Sequence, residues 1–279
     1  MRPCTSIEHT LWIGNNFPGV FSLPNLVNVS DVYIGDAFYD DQSQTITSGT
    51  LTGVSFPALQ NVGLIRAVNQ GSINSIDVPN LTGNNDVTLS GLPALANFSL
   101  NAGGDFSYIN ITNTGIVEFS YGGPGLSTLK LIGNPSLAKV TVPENSYIQR
   151  LEVDCGGLVT SRNSLGYKST QHKAKYPMPR FTGPKNVSSF EISFCKQPSG
   201  DWKTALTGLG STASFMVNFH HNEFLTLSVP DLRNTTSTIS IEDNRNLTEI
   251  VFPALKAAGS LMITDNPSLY DINALLSRS

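Results

Sequence analysis

The chain has 279 residues, a length that fits one large domain or two of average size. Charged residues make up 14% of it and hydrophobic residues 39%, and the formal net charge is −4 at pH 7. These values exclude a disordered chain and the basic balance of a nucleic-acid-binding protein. No apolar run approaches the ~20 residues that a membrane-spanning helix needs. The low charge and the many Asn, Ser, Thr and Gly residues indicate a repetitive β protein.

The N-terminal residues do not have the charged and apolar regions of a secretory signal, and the C-terminal residues lack a lipid-anchor signal. Seven Asn-x-Ser/Thr acceptors nevertheless predict passage through the secretory pathway. We therefore expect a truncated sequence of an extracellular protein. The predicted N-glycosylation sites are Asn28, Asn80, Asn97, Asn110, Asn186, Asn234 and Asn246.

A repeat of about 22 residues becomes visible in the N-terminal part of the chain. The segments Phe56-Pro57-Ala58-Leu59 and Val78-Pro79-Asn80-Leu81 have the same pattern, and their prolines are one period apart. The interval from Pro24 to Pro57 is longer, which predicts an inserted acidic loop at Asp36–Gln44.

The same period governs the C-terminal part. Residues 239–250 align with residues 261–272 at every apolar position, and Asn244 aligns with Asn266. The frame extends back to Asn222 and, five periods before Asn244, to Asn134. Each unit contains an alternating strand, a corner with asparagine, a β-branched second strand and a corner with proline.

These units predict an all-β fold, a right-handed parallel β-solenoid in which neighbouring coils bury one another's apolar side chains. We expect the asparagines to form a structural ladder through the stack: Asn134, Asn222, Asn244 and Asn266. The alternative is a leucine-rich-repeat horseshoe, which shares the Leu-x-Leu-x-x-Asn pattern but requires helical segments on the far side. The β-branched second strand favours the solenoid.

The repeat is interrupted between Gly156 and Thr212. Prolines and a run of basic residues predict an extended loop, followed by a short helix at Asp201–Leu209. The expected organisation is an N-terminal solenoid at 1–155, an irregular region at 156–212 and C-terminal coils at 213–279. The run of basic residues consists of Arg162, Lys168, Lys173, Lys175, Arg180 and Lys185.

Three cysteines are present. Cys155 and Cys195 bracket the irregular region, and they are either disulfide-bonded or two free thiols in a reducing compartment. The glycosylation acceptors favour the disulfide, which leaves Cys4 for a partner in a missing N-terminal segment. No Cys or His spacing indicates a metal site.

One set of residues suggests catalysis. His221, Asp243 and Asp265 are one period apart, so a solenoid would stack them as a column of acid/base or cation-binding groups. The alternative is that they are exposed corner residues. Aromatic residues such as Tyr108, Phe119 and Tyr121 either bind sugars on a flat face or pack in the interior. The basic residues between 162 and 185 either bind anionic polymers or form a solvated loop.

The unit from Phe252 to Ile272 resembles the receptor L-domain repeat. It more closely resembles the fungal GPI-anchored cell-wall proteins of the sporulation-specific and extracellular-mutant family, over roughly Val20 to Ile272. This resemblance implies a secreted, N-glycosylated solenoid at the plasma membrane or cell wall, which contributes to wall integrity without catalysis or a cofactor. The implied partners are cell-wall glycans or surface proteins, and contact with the membrane would be only through a lipid anchor.

Three functions are therefore under consideration. The preferred one is a non-catalytic extracellular glycoprotein of the fungal wall. The second is a receptor-type L-domain module that binds a soluble ligand. The third is a polysaccharide-cleaving β-helix, for which Asp243 and Asp265 would be the catalytic carboxylates.

Overall fold

The computed structural model describes residues 4–35, 46–82, 85–100, 103–156, 174–182, 186–197, 212–213 and 216–274. Regular structure in these ranges consists of β-strands, and no helix occurs within them. Accordingly, none of the described residues belongs to a helix long and apolar enough to cross a membrane.

One wall of the molecule is a 12-stranded sheet, which we call the long sheet. Each of its strands pairs in parallel with strands from neighbouring coils. The strands are β1 (Ser6–Ile13), β3 (Asn28–Ile34), β5 (Leu64–Val68), β7 (Asn85–Leu92), β9 (Phe106–Thr114), β11 (Gly125–Ile132), β13 (Tyr147–Asp154), β16 (Asn186–Ser193), β18 (Thr212–Ala213), β19 (Met216–His220), β21 (Asn234–Glu242) and β23 (Ala257–Thr264).

The strands between them form four smaller parallel sheets. Three of these hold the second strands of successive coils, and the fourth joins two strands of the central region. In sheet order they are β2 (Gly19–Ser22), β4 (Leu51–Ser55), β6 (Ser75–Asp77) and β8 (Asn97–Ser99); β10 (Glu118–Ser120), β12 (Lys139–Thr141) and β15 (Arg180–Thr182); β20 (Thr226–Ser228), β22 (Glu249–Phe252) and β24 (Asp271–Ala274); and β14 (Tyr176–Pro177) with β17 (Cys195–Lys196).

The predicted β-solenoid is confirmed, with a spacing of about 22 residues over about ten coils. In each coil a long strand is followed by a first corner, a short strand and a second corner. The horseshoe alternative is wrong, because the far side of the described coils consists of strands such as β20 and β22. Their β-branched residues fit a pleated surface better than a helix.

Pairing between coils reproduces the sequence period where the repeat is regular. Ile239 of β21 pairs with Leu261 of β23, and Leu129 of β11 pairs with Leu151 of β13. In the N-terminal part Val32 of β3 pairs directly with Ile65 of β5, which is 33 residues further along the chain. The predicted acidic loop at Asp36–Gln44 falls outside the described residues.

The core lies between the long sheet and the shorter sheets. Alternation directs Ile239 and Ile241 of β21 inward, where both are fully buried. Leu247 after the first corner and Leu255 after the second are also fully buried. Burying each such side chain contributes about 1.5–3 kcal/mol, and only a stacked neighbour makes that burial possible.

The central segment 156–212 contributes β16 and β18 to the long sheet. Of the six basic residues between 162 and 185, Lys175 and Arg180 are described, and Arg180 begins β15. The other four, Arg162, Lys168, Lys173 and Lys185, and the predicted helix at Asp201–Leu209 lie outside the described residues.

Candidate functional site

Asparagine side chains stack at the first corner of the C-terminal coils. The Asn244 Oδ1 accepts hydrogen bonds from the Asn222 backbone N at 2.9 Å and from its Nδ2 at 3.1 Å. The Asn266 Oδ1 accepts the equivalent bonds from Asn244 at 3.0 and 3.1 Å. Asn222 and Asn244 are each 1% exposed. Since buried backbone N–H groups require partners, these side chains have a structural role.

Asn134 has similar bonds at the first corner of an earlier coil. Its Oδ1 accepts hydrogen bonds from the Thr114 backbone N at 3.0 Å and from the Thr114 Oγ1 at 2.8 Å. Its Nδ2 donates to the Ile111 carbonyl at 2.8 Å. Asn134 therefore joins its coil to the preceding one, whereas the three C-terminal asparagines bond to one another.

A disulfide between Cys155 and Cys195 lies between these two groups of asparagines. Cys155 follows β13 and Cys195 lies two residues after β16, both at the first corner, and Cys195 holds the position that asparagine holds in the coils of Asn134, Asn222, Asn244 and Asn266. The Cys195 backbone N donates to the Asn222 Oδ1 at 2.9 Å, which continues the ladder. Both cysteines are buried, so the covalent bond joins adjacent coils from the inside.

In most coils one residue of the first corner has a left-handed backbone. In the C-terminal coils it is the residue just before the stacked asparagine. The φ angle is 57° at His221, 54° at Asp243 and 55° at Asp265. Among residues with a side chain, Asn, Asp and His tolerate this region best, and glycine adopts it freely. The other members of the column are Gly35, Asn69, Gly91, Asn113, Gly133 and Phe194.

This column contains all three residues of the predicted acid/base set. The His221 Nδ1 lies 3.4 Å from the Asp243 Oδ2, and their side chains are 41% and 49% exposed. Asp243 and Asp265 border a shallow open depression together with Arg245, Asn266 and Pro267. The left-handed backbone explains these residue types at these positions, so their chemistry does not by itself indicate a catalytic site.

A network of ion pairs crosses the outer face of the long sheet. The Lys130 Nζ lies 3.0 Å from the Glu152 Oε2, and the Arg150 Nη2 lies 3.4 Å from the same oxygen. The Arg150 Nη2 also lies 3.8 Å from Glu191, whose Oε1 is 3.0 Å from the His220 Nε2. The hydrogen bond with His220 is the main cause that lowers the pKa of Glu191 below its ordinary value of 4.5.

Sequence reasoning missed this network. Lys130 and Glu152 are one period apart and could have been found, but Glu191 and His220 are 29 residues apart because the central coils are irregular. His220 and His221 have different partners, Glu191 and Asp243 respectively. Their ring centroids are nevertheless 5.2 Å apart, because His221 follows β19 at the left-handed corner and does not continue the alternation of the strand.

Most of the predicted glycosylation acceptors lie at the surface. Asn28, Asn80, Asn97, Asn234 and Asn246 are exposed. Asn110 is half-buried in β9, and its Oδ1 accepts a hydrogen bond from the Thr112 Oγ1 at 2.7 Å. Asn186 begins β16. A glycosyltransferase could therefore reach most of these side chains in the folded protein.

The aromatic residues of the sequence analysis separate into two groups. Phe119 and Tyr121 are each 1% exposed and belong to the core, whereas Tyr108 is half-buried in β9. Burial raises the pKa of Tyr121, whose hydroxyl donates to the carbonyl of Gly125. Among the described residues, no group of three or more His, Cys, Asp or Glu side chains is arranged to hold a metal ion.

Comparison with known proteins identifies a distant relative. The chain is 21% identical over 256 residues to Protein ecm33 of Aspergillus fumigatus. The match covers 91% of this chain and 56% of the relative, so the chain spans about half of that protein's length. No protein-family profile and no solved structure matches the chain. The similarity supports the family resemblance inferred from the repeat.

Proposed function

We propose that this chain is part of a non-catalytic extracellular glycoprotein that contributes to the organisation and integrity of a fungal cell wall. The observation that carries the proposal is the similarity to Protein ecm33 across 91% of the chain. Similarity over the whole solenoid, and not at one corner or loop, favours a role for the surface as a whole.

The chemistry of the surface is consistent with this role. Five acceptor asparagines are exposed, and a disulfide joins two buried cysteines, which favours an oxidising extracellular location. Stacked coils make a rigid rod whose walls can bind cell-wall glycans or other surface proteins without conformational change. We place the protein at the cell wall or the outer face of the plasma membrane.

The absence of catalysis is part of the proposal. Asp243 and Asp265 are the best pair of carboxylates for a polysaccharide-cleaving enzyme, and both occupy left-handed corner positions that favour aspartate for backbone reasons. We expect Asp243→Asn and Asp265→Asn variants to retain full biological function.

Fractionation of fungal cells that express the full-length gene tests the proposal. We expect the protein in the wall fraction, with an electrophoretic mobility that increases after endoglycosidase treatment, and we expect the deletion strain to be hypersensitive to wall-perturbing dyes. Recovery of the unglycosylated protein from the cytosol would contradict the proposal. So would release of reducing sugar from wall polysaccharide that the Asp243→Asn variant abolishes.

A further inference from the structure

An open depression of about 340 Å³ lies on the outer face of the long sheet. It crosses three neighbouring strands, with Ser127 and Thr128 on β11, Gln149 and Arg150 on β13, and Ser189 on β16.

Two of the strands under the depression share an irregularity in their inward and outward alternation. Leu126 and Leu129 of β11 both face the core, so the two residues between them, Ser127 and Thr128, both stand on the outer side. Strand β13 has the same spacing, since Ile148 and Leu151 face the core around Gln149 and Arg150. The outward residues are aligned across the coils, since Thr128 pairs with Arg150 and Arg150 pairs with Ser189 of β16.

Tyr147 stands on the outer side of β13, two residues before Gln149, and next to the residues that line the depression rather than among them. Its side chain starts on β13, and its hydroxyl forms a hydrogen bond with the Ser188 Oγ on the neighbouring strand β16. The ring therefore lies across the adjacent coil, held at both ends, and the residue is 45% exposed. An exposed and immobilised aromatic ring is a ready surface for stacking at little entropic cost.

The electrostatics favour a neutral ligand. Arg150 is the charged side chain of the depression, and it is paired with Glu152 and Glu191. The other lining groups are hydroxyls and an amide, which both donate and accept hydrogen bonds. An anionic ligand would meet these two carboxylates, whereas a hydroxyl-rich ligand needs no charge partner.

We propose that the depression binds a neutral β-1,4-linked polysaccharide that runs along the solenoid axis, with one sugar unit over each coil. Coils repeat about every 4.8 Å, and the units of an extended β-1,4-linked ribbon repeat at a similar length. The apolar face of one sugar stacks on Tyr147, and the hydroxyls of the three successive sugars bond to Thr128, Gln149 and Ser189. This inference rests on the proposed function, because it assigns the ligand of a wall protein.

A titration of unglycosylated protein with cellohexaose and chitohexaose tests the proposal by calorimetry. The glycosylated form is titrated in parallel, because Asn186, a glycosylation acceptor, pairs in register with Tyr147 and its glycan would compete for the same surface. We expect at least one hexasaccharide to bind, and the affinity to rise steeply from disaccharide to trisaccharide because the depression spans three coils. Stronger binding of oligogalacturonate, an anionic chain, would overturn the proposal.

The diagnostic variant is Tyr147→Ala, and the matched control is Tyr270→Ala, which removes a ring that is 82% exposed outside the depression. We expect the first to weaken binding about tenfold or more, a loss of at least 1.4 kcal/mol, and the second to leave it unchanged. If Tyr147→Ala reduces the folded fraction, Gln149→Ala replaces it, with an expected loss of roughly threefold. Equal affinities of the diagnostic and control variants would overturn the proposal.

The two proposals fail in different ways. A protein that is retained in the wall but binds neither hexasaccharide would refute the depression as a glycan site and leave the proposed function intact. Binding of the hexasaccharides by a protein that is absent from the wall fraction would refute the proposed function alone. If the glycosylated protein fails to bind while the unglycosylated protein binds, the occupant of the depression is the protein's own glycan, and the wall polysaccharide is excluded.

Discussion

Removal of the Asn244 side chain is the most direct test of the corner ladder. The Asn244→Ala variant deletes the Oδ1 that accepts from the Asn222 backbone N, and the Nδ2 that donates to the Phe219 carbonyl at 3.0 Å. Both partners lie inside the solenoid, where a group that loses its hydrogen bond costs about 1–3 kcal/mol. Because two such groups lose their partners, we expect the free energy of unfolding to decrease by about 4 kcal/mol.

Urea unfolding and amide hydrogen exchange measure this effect. Asn246→Ala is the control in unglycosylated protein, since Asn246 is an exposed asparagine at the same corner, and we expect it to cost less than about 0.5 kcal/mol. Because coils of a solenoid can unfold in part, exchange at the Asn222 amide is the more specific readout. Equal destabilisation by both variants, with the Asn222 amide still protected in Asn244→Ala, would refute a structural role for the ladder.

Three further predictions concern the disulfide, the ion-pair network and the left-handed column. Replacing Cys155 and Cys195 together by alanine should cost about 4 kcal/mol in urea unfolding, from the entropy of a loop with a sequence separation of 40. The pKa of Glu191 is lower in the folded protein, so its contribution to stability is present above pH 4.5 and is lost as the pH falls through the lowered value. In the wild type we expect the free energy of unfolding to fall by about 1 kcal/mol between pH 6 and pH 3 for this reason, because solvent screens the interaction. The Glu191→Gln variant should not show this fall, and a variant with the pH profile of the wild type would contradict the prediction. Asp243→Val should lower the melting stability by about 1–2 kcal/mol while Asp243→Gly changes it little, and equal effects would contradict the backbone explanation.

The regular coils could be predicted from the sequence because their geometry depends on apolar periodicity. Ile239 and Ile241 recur as Leu261 and Ile263, and the same spacing gives the register of β21 and β23. The left-handed column could be predicted in part, because Asn69, Gly91 and Asn113 recur at a fixed interval and are residue types that accept a positive φ. Phe194 gave no such signal, because bulky residues rarely adopt that conformation.

The outer face of the long sheet was harder to predict. Its features depend on side chains from coils of unequal length, as Glu191 and His220 show. The depression lies over two consecutive outward residues in each of two strands, which a period-two reading treats as a break in the pattern. The role of Tyr147 could not be predicted from the sequence, because it depends on a hydrogen bond with Ser188, which is 41 residues away.

The central coils show why the asparagine repeat can lapse without loss of the fold. In a regular coil the left-handed residue donates its N–H to a strand carbonyl of the next coil, as His221 does to Glu242 at 3.1 Å, and the following N–H needs the asparagine oxygen. After β13, Cys155 itself donates to the Ser193 carbonyl at 3.0 Å, and it does not have a left-handed backbone. The next N–H, that of Gly156, donates to the Asp154 Oδ1 at 2.7 Å. This corner thus replaces the asparagine acceptor with an aspartate of its own strand, which frees the inward position for Cys155. The cost of losing the amide ladder between these coils is offset by a covalent bond to Cys195, so the stack stays continuous where its period is least regular.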